Sequence, residues 1–272
     1  MRIPFTKAHG AGNDFLLTWA TDAHRGNLPK LARILCDRHT GVGADGWMLV
    51  RCAPAGSGYD ASIRLFNADG SEPEMSGNGT RCAAAFLLDV GLVAGPELRL
   101  ATGAGVKHLR LVGRDGLRFM FEMNMGRPAY TREDLHLELA LSGGPRDVAA
   151  LCAGNPQCVV FVDDFHWDWR SMGAEIEAHP HFPNRTNVSF VKRVDAHAID
   201  VRFFERGVGE TISSGTGATG AAAAAILRGI AESPVRVLTP AGPLDVRWEG
   251  EIFLTGPAVI TAGGEFYAEA AE

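Results

Sequence analysis

A chain of 272 residues, 46% hydrophobic and 21% charged with a formal net charge of -6, can bury a sizeable core and is long enough for two ordinary domains. Its mild acidity, with no basic tract, excludes a phosphate-neutralising surface for nucleic acid or an anionic membrane. No run of about 18 apolar residues occurs, and the opening MRIPFTKAHGAGNDF lacks the apolar core of a signal peptide, so a cytoplasmic location is expected.

In chain order, LPKLARILCDRH from Leu28 places Leu28, Leu31, Ile34 and Leu35 on one face and predicts an amphipathic packing helix. The segment Cys82 to Leu88 follows, with no charged residue. Strand-like runs then dominate: VKHLRLV from Val106, LRFMFEM from Leu117, CVVFVDD from Cys158, NVSFVKRV from Asn187 and IDVRFFE from Ile199. Gly217 to Leu227, again without a charge, interrupts them before VRVLT from Val235, LDVRW from Leu244 and EIFLTG from Glu251. Many of these runs alternate apolar with polar residues, the signature of strands with one buried face. The two uncharged segments predict helices that are apolar all round and must be enclosed, and their alanines make them thin and good helix formers. Gly91 and Gly229 stand where C-terminal caps belong. The economical fold is α+β: two pseudo-symmetric domains, each a curled, barrel-like sheet wrapped around a central helix. The expected boundaries are 1–122, rejoined by 261–272, and 123–260.

The head of each enclosed helix carries the same pattern, EMSGNGTRCAAAFLL at 74–88 and ETISSGTGATGAAAAAIL at 210–227. Both contain S-G-x-G followed by alanines, about half the chain apart, which suggests duplication. Glycines let the backbone approach a ligand, and the helix behind points free N–H groups and its positive dipole end at it, a position suited to a carboxylate. A lone copy reads as a Ser-capped helix turn; two matched copies favour a ligand site headed by Ser76 and Ser214. The stretch GTGATG at 215–220 also fits G-x-G-x-x-G, but no strand runs directly into it and no acidic residue ends the next strand, so a dinucleotide is not expected. Five cysteines without a C-x-x-C pair argue against a disulfide framework or structural zinc and are expected to be buried thiols. His179 and His181 lack the ligand spacing of a metal site.

The stretches HGAGNDF (9–15), RHTGVGADG (38–46), NADGSEPEMSGNGTRC (67–82), GNPQCVV (154–160), RTNVSFV (185–191), ERGVGETISSGTGATG (205–220) and TPAGPL (239–244) together resemble the diaminopimelate epimerase family from end to end. That resemblance implies a cofactor-independent isomerase of amino-acid (lysine and cell-wall precursor) biosynthesis, inverting one α-carbon between the LL and meso forms of diaminopimelate in a cleft between two like domains. It implies that Asn13, Asn67, Asn155 and Asn187 grip the amino acid through amides that both donate and accept. By the same likeness, Glu205 and Arg206 hold amino and carboxylate ends of the substrate, and Gly77 with Asn78 and Gly215 with Thr216 bind the α-carboxylate at the helix heads. No cofactor and no metal are implied; the expected partners are a small amino-acid substrate and, as the likeness allows, a second copy of the chain in a homodimer.

The departure falls on the catalytic pair: the family carries cysteines, one thiolate base and one thiol acid, where this chain has Ser76 and Ser214. A helix dipole can bring a thiol near pKa 8.5 into working range, whereas a serine hydroxyl needs a neighbouring base, for which Glu205 and Glu74 are candidates. The family's histidine after Asn-Pro is Gln157 here, which takes no proton. Four readings stay open: serines acting as acid and base; a related proton shift or elimination on another amino acid or small carboxylate; a substrate-binding protein without catalysis; and serines introduced in place of the family's thiols.

Overall fold

The computed structural model describes residues 2–23 and 26–268. The chain divides into two compact units, the first running to Met123 and taking the chain back from Gly256, the second running from Asn124 to Thr255. Of the expected returning segment, residues 269–272 lie outside the described residues.

In the first unit β1 (Arg2–Gly10), β2 (Asn13–Trp19), β3 (Gly46–Cys52), β4 (Ala61–Asn67), β5 (Glu97–Thr102), β6 (Gly105–Asp115) and β7 (Arg118–Gly126) are neighbours in that order. The last strand, β16 (Glu251–Tyr267), lies next to β7 and also pairs with β1, so eight strands close on themselves. Two neighbours are parallel, β2 with β3 and β4 with β5, and parallel neighbours need a crossover. Helices α1 (Leu28–Cys36) and α2 (Gly77–Asp89) lie in those connections. Eleven of the thirteen residues of α2 are buried, from Gly77 to Leu87: it is the central helix. α1 instead buries Ala32, Leu35 and Cys36 in a separate cluster with Ile3, Leu16, Trp47 and Phe66.

The second unit repeats the plan. β8 (Leu137–Leu141), β9 (Gly144–Cys152), β10 (Pro156–Phe161), β11 (Asn187–Asp195), β12 (Ala198–Glu205), β14 (Val235–Thr239) and β15 (Gly242–Glu249) are sheet neighbours, with short β13 (Gly209–Thr211) beside β12. Residues 251–255 of β16 extend the sheet beyond β15. The parallel pairs are β10 with β11, bridged by α3 (Trp169–Glu177), and β12 with β14, bridged by α4 (Gly215–Leu227). Again the second crossover helix is enclosed: α4 is buried from Gly217 to Ala225. Again the first packs outside, α3 burying Trp169 and Ile176 against Val160, Val188 and Phe190.

The two enclosed helices end alike. The N–H of Leu92 donates to Leu87 O and that of Gly91 to Leu88 O; at α4, Ile230 donates to Ala225 O and Gly229 to Ile226 O. Each is a Schellman cap with glycine at positive φ, +72° at Gly91 and +67° at Gly229.

Several expectations are corrected. Both central helices begin earlier than their uncharged runs, so α2 takes in Arg81, a fully buried charge inside a helix expected to have none. The predicted α1 stops at Cys36 rather than His39, since Asp37 turns to extended backbone. β16 runs on to Tyr267, past the predicted end at Gly256. Cys52 and Cys152 are exposed rather than buried, because each ends a strand as it leaves the sheet.

Candidate functional site

Ser76 and Ser214 are the N-cap residues of α2 and α4, both in extended backbone. Each Oγ accepts from the N–H of the third helical residue, Gly79 at 3.2 Å and Gly217 at 3.1 Å, satisfying one of the free donors that every helix start presents. That third residue is glycine in both cases for a packing reason. A Cβ at Gly79 would stand 2.6 Å from Met48 Cε, and one at Gly217 would stand 2.8 Å from the Phe203 ring. The helix heads are thus pressed onto their sheets.

The serines differ in what takes their proton. Ser214, 4% exposed, donates to Glu205 Oε1 at 2.5 Å, the short distance of a hydrogen bond to an ionised acceptor. Burial pushes the Glu205 carboxyl above the usual carboxylate range, partly offset by the Ser214 hydrogen bond. The carboxylate is therefore a stronger base than an exposed one. Among the described residues no carboxylate accepts from Ser76, and Glu74 is exposed.

The other ligand-gripping candidates are sorted by unit. In the first, Asn13 opens β2, Asn67 closes β4, and Gly77 and Asn78 open α2. Register carries Phe15 beside Gly46 and Gly46 beside Asn67, so Asn13 and Asn67 share one end of the sheet. Asn67 spends its amide on Ser71 Oγ at 2.9 Å. Asn78 donates to Asn13 Oδ1 at 3.4 Å, Asn13 donates to Asp45 Oδ2 at 2.7 Å, and Arg38 reaches both Asp45 and Asp14. Burial alone would raise the Asp14 carboxyl, but the hydrogen bonds and charges of Arg38 and Lys7 outweigh it and hold it below its ordinary value. Behind Asn78 the Arg81 guanidinium donates to Asn78 Oδ1 at 2.5 Å, Gly77 O at 3.3 Å and Pro257 O at 3.1 Å, all neutral oxygens. Burial lowers its pKa to about 10, so it remains a cation at neutral pH.

In the second unit Asn155 lies in the β9–β10 turn beside Gly154, which adopts φ +84°, and a Cβ added at Gly154 would come 3.9 Å from Thr216 Cγ2. Its Oδ1 accepts from Gln157 at 2.5 Å, leaving Gln157 Oε1 buried without a partner. Asn187 is spent on the framework, donating to Pro156 O and accepting from the Arg206 N–H, each at 3.0 Å. It therefore holds the turn after Glu205. Glu177 of α3 holds the same turn, accepting from Gly207 N at 2.9 Å and from Arg185. Arg206 is exposed and reaches Asn184 O at 3.2 Å. Gly215 and Thr216 occupy the first two positions of α4. The whole of GTGATG lies inside that helix.

Asp14, Arg38, Asp45, Arg81 and Glu177 carried no signal in the sequence reading beyond lying in or near the quoted motifs. Their hydrogen-bond partners lie from 3 positions away, Asn78 for Arg81, to 176 away, Pro257 for the same arginine, so only the folded pairing shows them. The three buried cysteines are poorly suited to supply a thiolate: burial pushes Cys36 and Cys82 up to about 12 and Cys158 higher still. Among the described residues no group of three His, Cys, Asp or Glu side chains is placed to hold a metal ion.

The family model described as diaminopimelate epimerase matches residues 5–131 and 149–261. Two proteins named diaminopimelate epimerase are similar over nearly their whole length. The one from Pelotomaculum thermopropionicum is 39% identical over 96% of this chain and 98% of its own, and that from Pseudomonas fluorescens is 41% identical over 97% and 99%. Among solved structures, a hydroxyproline epimerase from Agrobacterium vitis with bound trans-4-hydroxy-L-proline shares the fold at 18% identity and a TM-score of 0.71, covering 97% of this chain and 92% of its own. A phenazine biosynthesis protein of the PhzF family from Bacillus anthracis does so at 16% identity and 0.72, covering 97% and 99%. With matched helix heads, repeated topology and likeness along almost all of its length, the chain belongs to the diaminopimelate epimerase family.

Proposed function

We propose that this protein is an isomerase of diaminopimelate that moves the α-proton through a serine–carboxylate pair where its relatives use a thiol. The observation that carries the reading is the 2.5 Å hydrogen bond from Ser214 Oγ to Glu205 Oε1 at the head of α4. As Ser214 Oγ takes the α-proton, the hydroxyl proton passes to Glu205, and the electron pair of the C–H bond goes into the carboxylate-stabilised carbanion. The Gly217 N–H stabilises the oxygen as charge builds there. Glu205 is thereby assigned to proton transfer as well as to gripping the amino group. In this proposal protonation of the opposite face falls to Ser76, a role supported by its matching place at the head of α2. Its hydroxyl is acidic enough to quench a carbanion and is afterwards reprotonated from water, while Glu205 gives up its proton to neutralise the hydroxide so formed. Asn13, Asn67, Gly77, Asn78, Asn155, Asn187, Arg206, Gly215 and Thr216 are the proposed ligand set, Asn67 and Asn187 acting by holding the backbone around them. No cofactor takes part in this scheme, and the cytoplasm is its proposed setting.

The absence, among the described residues, of a carboxylate acceptor for Ser76 favours one second reading: a one-base proton shift or elimination on another small amino or carboxylic acid. Incubation with LL- and meso-diaminopimelate in heavy water, followed by proton NMR, separates the two. Exchange with inversion, lost in Ser214→Ala, supports the epimerase. If the unaltered chain exchanges nothing while the Ser76→Cys/Ser214→Cys form does, the family site is intact but lacks its acid and base, and the proposal fails.

A further inference from the structure

Four side chains of the first unit form one line of hydrogen bonds, Arg81 to Asn78 to Asn13 to Asp45. Its two ends are chemically one-sided. A guanidinium can only donate and an ionised carboxylate can only accept, whereas each asparagine between them can present either its oxygen or its nitrogen. With Arg81 facing Asn78, that amide must offer its oxygen inward and turn its N–H2 toward Asn13. With Asp45 facing Asn13, that amide must offer its nitrogen to the carboxylate and its oxygen to Asn78. The ends therefore choose between the two orientations of both amides, and they agree on one.

The setting makes that choice costly to reverse. Arg81 is fully buried with no anionic partner among its hydrogen bonds, so a flipped Asn78 would set an N–H2 group against a cation. Gly10 keeps the line short: a Cβ there would lie 3.0 to 3.1 Å from Asn78 O, Cα and Cβ. Asp45, in turn, is fixed by Arg38 at 2.8 Å. One N–H of Asn78 and both an N–H and an oxygen lone pair of Asn13 remain after these bonds are counted.

We propose that Arg81 and Asp45 are positioning residues that fix the amide orientations of Asn78 and Asn13, so that Asn78 presents a donor to a substrate carboxylate and Asn13 presents both a donor and an acceptor. This rests on the reading above that these two asparagines grip the substrate. The unpaired charge of Arg81, one turn behind the head of α2, adds to the attraction for an anion there.

The test is calorimetric binding of meso-diaminopimelate, with thermal melts, for Asp45→Ala, Arg81→Met, Arg81→Lys, the Asp45→Ala/Arg81→Met pair, and Asn13→Ala and Asn78→Ala. Asp45 is exposed, so Asp45→Ala keeps the fold and carries the test even where Arg81→Met does not. Asp45→Ala and Arg81→Met are each expected to weaken binding about five- to tenfold, with the paired variant falling short of the product of the two because both act on one line. Arg81→Lys, which keeps a donor-only cation, is expected to recover most of the loss, a result that lost packing would not produce. Unchanged binding in Asp45→Ala, while Asn13→Ala and Asn78→Ala weaken it, overturns the positioning role alone. Unchanged binding in Asn13→Ala and Asn78→Ala overturns the assignment of these amides to the substrate, and the positioning role with it.

Discussion

Replacing Glu205 by glutamine tests the proton path with little change of shape. Glutamine still accepts the Ser214 hydroxyl through Oε1, so the 2.5 Å contact and the cap to Gly217 can persist, but the proton has nowhere to go. Ser214 would then have to form an alkoxide unaided, and loss of a positioned general base costs about 10² to 10⁴ in rate, equivalent to about 2.7 to 5.4 kcal/mol of barrier. The readout is α-proton exchange in heavy water for each stereoisomer. Because, among the described residues, Ser214 has a carboxylate behind it and Ser76 has none, one configuration of the α-carbon should lose most of its exchange and the other far less. In the unaltered chain the same exchange should rise with pH through a midpoint above the ordinary carboxylate value of about 4.3, since burial raises Glu205. The stability consequence has the opposite direction. A carboxyl whose folded pKa lies above its unfolded one contributes stability in full below the unfolded value and loses it as pH rises through the folded value. Glu205→Gln should therefore melt higher than the unaltered chain at neutral pH, with the gap closing in acid below the carboxylate range. Exchange within about threefold of the unaltered rate for both stereoisomers would refute the relay, being far short of the loss of a general base.

Three predictions concern the framework. Gly217→Ala drives a Cβ into the rigid Phe203 ring, whereas Gly79→Ala meets the movable end of Met48. Set against the roughly 1 kcal/mol that alanine gains over glycine in a helix, the first should lower stability by about 1 to 2 kcal/mol and the second by under about 0.5 kcal/mol in urea titrations. Arg185→Met leaves the buried Glu177 carboxylate with the Gly207 N–H as its remaining hydrogen bond. A cost of about 2 kcal/mol is expected by denaturant titration, together with weaker ligand binding as the turn carrying Arg206 loosens. Gly229→Ala places a Cβ in open space but at φ +67°. It should cost about 1 kcal/mol, the strain of a left-handed backbone, and leave α-proton exchange unchanged.

What could be read from the sequence was what neighbours within a few residues decide. The serine caps, the glycine-ended Schellman turns and the enclosed alanine helices rest on contacts three to five residues apart, and both copies form as the pattern implies. Strands β1 to β5 were not legible, and β2 and β3 show why. FLLTW and GWMLV are buried almost throughout, because α2 packs on one side and the α1 cluster on the other, and burial on both faces erases the period of two. The site divides along the same line. That Ser76 and Ser214 head their helices was written locally; that Ser214 meets a buried carboxylate while Ser76 does not depended on where β12 ends and how the chain returns to α4. Likewise Asn13 and Asn78 stand in recognisable motifs 65 positions apart, but their orientation is set by Arg81 and Asp45. Helix spacing sets Arg81 beside Asn78 three residues before it, but a hydrogen bond needs its partner close in space, and only the fold brings Asn78, Asn13 and Asp45 within reach of one another.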